Sequence, residues 1–457
     1  MRTLTLVTLF TLIGFINLRA DDFSQWLKQE KETSFRNLHR NISPEGAAKG
    51  CVVASPSKSS PDYFYHWVRD AGITMDVVVT QYKLGLDQNN FLESRLFDFI
   101  DFSLKNQNTP NLSGGPGEPK FNADGSAFSG PWGRPQDDSP ALRALALIHL
   151  ADFWLATGKK DLVVQRLYNA DFRSVIKLDL EYISHHWRNT SFDLWEEVKG
   201  HHFYTRSVQR RALEEGARLA TTLGDRYAAD WYRSQAANIQ NELYRHWDAN
   251  KKVVVPTIDW DGGVPYKHSG LDAAVVLGVL HGGSDSGDFS ISDDRIVSTV
   301  AKIEEAFQNL YPINQKGFPA VAIGRYPEDK YDGYSTSGEG NPWILITSGF
   351  AEYYYRLAKI LKSQDSVSIN SVNEDFYSKL IGNPVRSGAQ IDSGKVANQL
   401  IQKADSFLKR VRTHSDGRGG MAEQLNRHSG YQQGARDLTW SYGAFLTAAL
   451  SRPANPF

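Results

Sequence analysis

The chain has almost no cysteine. Only Cys51 occurs in 457 residues, so an internal disulfide and a cysteine-built metal cluster are both excluded. An excess of charge of one sign is also missing. Lys and Arg number 51 against 52 Asp and Glu, a formal net charge of -1. That balance offers no electrostatic footprint for nucleic acid or an anionic membrane surface. Beyond the N-terminus no apolar run approaches the ~20 residues that a membrane helix needs. Signatures of other chemistries are lacking too. There is no His-Glu-x-x-His helix, and the pairs His185-His186 and His201-His202 are adjacent residues whose rings diverge, a poor start for a metal site. No Gly-x-Ser-x-Gly elbow is present. Gly114, Gly115 and Gly117 follow no strand and make a poor phosphate cradle. No metal or cofactor is expected.

Aromatic residues are plentiful: 12% of the chain, with 11 Trp and 20 Tyr. Such side chains fill cores and also stack on flat apolar faces, sugar rings included. The N-terminus reads as a targeting segment. Arg2 precedes an apolar run from Leu4 to Leu18, then Arg19-Ala20, too short to span a bilayer and typical of a secretory signal over 1–20. Residues 21–457 then form one domain, exported and monomeric. The sequons at Asn41, Asn111 and Asn189 support export. With no disulfide, such a protein must rest on a large core.

The pattern is helical almost throughout. Apolar spacing predicts helices over about 22–37, 71–84, 90–104, 139–158, 162–186, 208–224, 225–243, 269–281, 294–310, 342–362, 393–412 and 437–451. Ser139 with Pro140, Asp225, and Asn341 with Pro342 read as helix starts. Short connections make neighbours antiparallel, so the fold class is all-α. Residues 108–138 form a long loop, Lys252–Pro256 is the best short strand, and 363–392 is a polar excursion.

The stretch Phe192-Asp193-Leu194-Trp195-Glu196-Glu197-Val198-Lys199-Gly200 carries two adjacent carboxylates beside an indole. Neighbouring side chains point in different directions, so Glu196 and Glu197 do different jobs. A carboxyl packed on Trp195 loses hydration, which raises its pKa toward that of a general acid working near neutral pH. Glu423, in Gly420-Met421-Ala422-Glu423-Gln424, is by itself an unremarkable loop carboxylate.

Five blocks stand in fixed order along the chain: Phe64-Tyr65-His66-Trp67-Val68-Arg69-Asp70, Trp132-Gly133-Arg134-Pro135-Gln136, Asp193-Leu194-Trp195-Glu196-Glu197-Val198, Gly324-Arg325-Tyr326-Pro327-Glu328-Asp329 and Ala435-Arg436-Asp437-Leu438-Thr439-Trp440-Ser441. Together they resemble the blocks of fungal and yeast glucoamylases, glycoside hydrolase family 15. The resemblance implies an (α/α)6 barrel of six inner and six outer helices with a pocket at one end. It implies a secreted, inverting exo-glucosidase that releases β-glucose from non-reducing ends of starch, glycogen and malto-oligosaccharides, at α-1,4 links and more slowly at α-1,6 links. It assigns Glu196 as general acid and Glu423 as general base, whose carboxyl groups in an inverting site stand roughly 6.5–9.5 Å apart. Arg69 and Asp70 hold the terminal glucose, Arg325 is a second sugar-binding arginine, and Tyr63 orients the base. Trp132 closes over the acid and the next sugar, Glu197 binds the second glucose, and Gln424 belongs to the substrate-binding set. Trp67, Trp195, Trp343 and Trp440 are pocket walls. The chain departs from the common filamentous forms in a longer 332–340 loop and in Gly434, where many relatives carry serine. It also has neither their disulfides nor a starch-binding domain, so weak binding to raw granules is expected. The rival readings are an exo-glucosidase of the same barrel acting on trehalose or dextran, and a non-catalytic sugar-binding relative. The latter is expected to lose one of the two acids, and both are present.

Overall fold

The computed structural model of the chain describes residues 22–171, 173–318 and 320–453. The segment read as a secretory signal, 1–20, lies outside them. The helices are α1 (Asp22–Arg40), α2 (Val68–Lys83), α3 (Phe91–Asn108), α4 (Ser139–Ala156), α5 (Lys160–Arg166), α6 (Val175–His186), α7 (Phe203–Leu223), α8 (Arg226–Leu243), α9 (Ala274–Gly282), α10 (Asp294–Leu310), α11 (Ile344–Leu361), α12 (Glu374–Ile381), α13 (Ser393–His414) and α14 (Thr439–Ser451).

Six of them close a ring. α2 packs on α4, α4 on α7, α7 on α9, α9 on α11, α11 on α14, and α14 returns to α2. Outside the ring α1 covers α14, α3 covers α2, and α6 lies on α4 and α7. α8 covers α7, α10 covers α9 and α13 covers α11. Outer and inner helices thus alternate along the chain in an (α/α)6 barrel, with α5 and α12 as additions. The sequence explains which is which. The inner α4, α9 and α14 are apolar nearly all round, as in Ala274-Val275-Val276-Leu277-Gly278-Val279-Leu280, and bury most of their residues. The outer helices bury one stripe. In α13 it is Val396, Leu400, Ala404, Phe407, Leu408 and Val411.

Several boundaries differ from the sequence reading for local reasons. The predicted helix over 162–186 breaks into α5 and α6. Between them the Asn169 carboxamide oxygen takes the Asp171 N–H at 2.8 Å, a local bond that competes with the helix ladder. Ser139 is not the cap of α4; Asp138 holds that position without a side-chain cap bond, its carboxylate being turned to Arg69 at 3.2 Å. Nor do Asn341 and Pro342 begin α11, whose N-cap is Trp343. The Asn341 amide instead donates to the Gln424 carboxamide oxygen at 2.9 Å. Asp225 does cap α8, accepting from the Ala228 N–H. α2 starts at Val68, which places Arg69 and Asp70 in its first turn.

The long 108–138 loop is ordered by a strand, Lys120–Asn122, antiparallel to Tyr65–Trp67 with Lys120 opposite Trp67. The strand expected at Lys252–Pro256 shrinks to Val253–Val254, paired with Trp247–Asp248. The 363–392 excursion is a hairpin of Ser366–Ser368 with Gln390–Asp392 around α12. Among the described residues no helix is long and apolar enough to cross a membrane. Cys51 is buried, and burial pushes its thiol up to about 12, which leaves it inert. Of the sequons, Asn41 is buried and its amide is bonded to the Asp437 carbonyl (2.9 Å) and Thr439 Oγ1 (2.8 Å), so a glycan does not fit there. Asn189 is exposed.

Candidate active site

Loops that lead into the inner helices converge on one cavity of about 310 Å³. It gathers residues from before α2 (Tyr63, Trp67) and from the first turn of that helix (Arg69, Asp70). From before α4 comes Trp132, and from before α7 come Trp195, Glu196 and Glu197. Arg325 and Trp343 precede α11, and Glu423 and Trp440 flank the start of α14. Ala54, Gly133, Leu194, Tyr331, Thr336 and Leu438, which the sequence did not single out, complete the wall. Thr336 belongs to the long 332–340 loop, so that departure reaches the cavity itself. Gln424 does not line it. It is fully buried, with its amide 3.5 Å from Glu423 Oε2.

Glu196 sits in a strained turn at φ +67°, a left-handed conformation that costs a residue with a Cβ about 1–2 kcal/mol. The turn is held from within by Asp193. Its carbonyl accepts the Glu196 N–H at 2.9 Å, and its Oδ1 accepts the N–H groups of Glu197 (2.8 Å) and Val198 (3.0 Å). Two close approaches hold it from outside. A Cβ on Gly133 would stand 3.0 Å from the Glu196 carbonyl oxygen, and one on Gly263 only 2.1 Å from that of Glu197. The strain turns consecutive carboxylates apart, as the sequence required.

Glu196 Oε1 accepts from Trp67 Nε1 (2.7 Å) and Gln136 Nε2 (3.2 Å) and lies 3.5 Å from Arg69 Nη2. The indole that meets Glu196 is therefore not its sequence neighbour. Trp195 turns away, donates to Asp272 Oδ1 at 2.9 Å and packs on Trp343. Glu197 is tied elsewhere, to Arg325 Nη2 (2.8 Å) and the Tyr326 hydroxyl (2.6 Å). Lys267 Nζ underlies this half of the site, 3.1 Å from Asp193, 3.2 Å from Asp272 and 3.9 Å from Glu197. Burial raises Glu197, while Arg325 and Lys267 draw it back. Arg69 also faces Asp138 (3.2 Å) and Asp70 (3.5 Å). Burial pushes Asp70 up to about 6, opposed by Arg69.

Glu423, which lines the same cavity, is 1% exposed. Tyr331 donates to its Oε2 at 3.4 Å, and the Tyr331 and Tyr63 hydroxyls meet at 2.7 Å. Tyr63 thus reaches the carboxylate in company with Tyr331, which the sequence reading missed. Burial drives Glu423 from 4.5 up to about 8, against hydrogen bonds from Tyr63 and Tyr331 and the charge of Arg325. A carboxyl that holds its proton more tightly folded than unfolded adds stability that is full below the unfolded value and fades as pH rises through the folded one. Glu423→Gln is therefore expected to gain thermal stability over the parent as pH climbs from about 4.5 to about 8, the difference levelling off above that. Unfolding midpoints at three pH values check this; a difference independent of pH would refute it.

The whole chain is similar to known proteins. The profile of glycosyl hydrolases family 15 matches residues 28–450. Glucoamylase 1 of Rhizopus oryzae is 38% identical over 441 residues, covering 95% of this chain and 72% of that protein. A probable glucoamylase of Schizosaccharomyces pombe is 36% identical, with 98% of each chain covered. The solved glucoamylase from Saccharomycopsis fibuligera superposes with a TM-score of 0.85 at 33% identity, over 94% of this chain and 96% of that one.

Proposed function

The chain belongs to glycosyl hydrolases family 15, and on that premise we propose that it removes single glucose units from the non-reducing ends of starch, glycogen and malto-oligosaccharides, with inversion. The observation that carries the reading is that Glu196 and Glu423, 227 residues apart in sequence, line one indole-walled cavity with the Arg69–Asp70 pair and Arg325. A fork of donors beside an acceptor suits vicinal hydroxyls, and the tryptophan faces suit the apolar side of the ring.

In this reading Glu196 gives its proton to the glycosidic oxygen as the C1–O bond breaks. Glu423 takes a proton from the water whose oxygen bonds C1 on the opposite face. The products are β-glucose and a chain one unit shorter; Glu196 is left ionised and Glu423 protonated, and exchange with solvent resets both. With Oε1 of Glu196 engaged by three N–H groups, its proton belongs on Oε2. Glu197 and Arg325 hold the second sugar. The burial of Glu423 favours a second reading in which the two acids exchange roles, because a carboxyl that keeps its proton is the readier acid. The matching blocks support the first assignment. The protein is exported, with residues 1–20 removed, works as a monomer, and carries glycan at the exposed Asn189.

Proton NMR of a maltotriose digest tests the reaction. β-Glucose is expected as the first anomer, formed faster than from trehalose or dextran. The α anomer appearing first would overturn the inverting mechanism, and faster turnover of trehalose or dextran would move the substrate.

A further inference from the structure

Behind the cavity wall lies a buried lysine with an unusual coat. Lys120 is 3% exposed, and its Nζ stands 4.1 Å from the ring centroid of Tyr65, 4.3 Å from Trp67, 4.2 Å from Phe128 and 3.7 Å from Trp132. The rings also contact one another in a closed circuit. Tyr65 meets Trp67 at 6.1 Å, Trp67 meets Trp132 at 5.7 Å, Trp132 meets Phe128 at 5.8 Å, and Phe128 returns to Tyr65 at 5.4 Å, every pair edge-on. The strand pairing builds the box. Tyr65 and Trp67 share one face of their strand, with Lys120 directly opposite Trp67.

An ammonium against an aromatic face gains about 0.5–2 kcal/mol, more where water is excluded. Trp67 and Trp132 serve two sides at once, walling the cavity while closing the box. Trp67 also donates its N–H to Glu196 at 2.7 Å. A cation on the indole face draws electron density from the ring and makes that N–H a stronger donor. Resting on the reading of Glu196 as proton donor, we propose that Lys120 is a positioning residue. It clamps Trp67 and Trp132 in place and strengthens the Trp67–Glu196 hydrogen bond, easing proton release from Glu196 to the leaving sugar. Besides Glu196, the charged groups around Lys120 are Asp62, from the segment before its partner strand, and Arg134, from the loop that carries Trp132. Burial lowers Lys120 to about 8, so the box carries its charge in acid and neutral solution.

Lys120→Met keeps length and apolar contact with the rings and removes the charge; Lys120→Arg keeps the charge. For Lys120→Met, kcat on maltotriose is expected to fall about tenfold, roughly one step of ~1.4 kcal/mol in the barrier, with KM changed less than about twofold. Loss of a neighbouring positive charge favours the protonated carboxyl, so the alkaline limb of kcat/KM moves to higher pH. α-Glucosyl fluoride, whose leaving group needs no proton donor, is expected to react at close to the parental rate. Lys120→Arg restores the limb and most of kcat. Unchanged maltotriose kinetics, or equal losses on both substrates, would overturn the proposal. If neither Lys120 variant folds, Phe128→Leu decides. It opens one wall of the box without touching the cavity and is expected to give a smaller loss confined to maltotriose; no selective loss sinks the idea. Glu196→Gln measured alongside separates the premise from the inference. If it hydrolyses maltotriose at the parental rate, the donor assignment fails and the role of Lys120 fails with it.

Discussion

Glu196→Gln and Glu423→Gln are each expected to lose at least ~10²–10⁴-fold in maltotriose turnover while sugar binding persists. The amide keeps the volume of the carboxyl and can neither give nor take the proton. The two variants part on α-glucosyl fluoride, because fluoride departs without help from an acid. Glu196→Gln should recover much of its rate there, whereas Glu423→Gln, still lacking a group to activate water, should not. This contrast also decides between the two role assignments. Recovery by Glu423→Gln instead would make the buried carboxyl the acid, and parental maltotriose turnover by either variant would remove that residue from the chemistry.

Lys267→Met is expected to cost roughly 3–5 kcal/mol of stability, the usual penalty for stranding buried charge. The side chain of Lys267 is 5% exposed, and its carboxylate partners Asp193 and Asp272 are 5% and 1% exposed. Asp193 in turn accepts the N–H groups that shape the Glu196 turn, so kcat should fall together with stability. Denaturant titration checks the first effect, and adding Asp272→Asn should return part of the loss by removing one stranded charge. A midpoint shift worth less than about 1 kcal/mol would show that the carboxylates are not relying on this ammonium.

Much of this was legible in sequence, and the failures have common causes. Inner and outer helices differ in how many of their sides are apolar, which periodicity reports directly. The 139–158 stretch, apolar on almost every side, carries this mark of a buried helix. The break between α5 and α6 was hidden because apolar spacing continues through Leu167 and Tyr168, both fully buried although outside a helix. Most of the residues that line the cavity stand in five short blocks that keep their order, and no single carboxylate looked special. What sequence could not supply was direction. Trp195 is one residue from Glu196 and donates to a different carboxylate, since a positive φ between neighbours throws their side chains apart. Gln424 shows the same limit: adjacency to Glu423, which lines the cavity, did not say that its own side chain lies off the wall. The lysine box assembles residues 65, 67, 120, 128 and 132, and no periodicity joins them.

The ring of inner helices also bears on how the molecule is made. It shuts only when α14 arrives to meet α2, and the seam is sewn by partners from opposite ends of the chain: Asn37 to Tyr442, Asn41 to Thr439. During synthesis the first helices must wait for the last, their greasy flanks uncovered until the ribosome has nearly finished. Contacts so remote in sequence form slowly, and a nascent chain in that condition is prone to clump and dependent on chaperones. The same closure that gives the finished enzyme a stable cavity thus makes its birth the hazardous stage of its life.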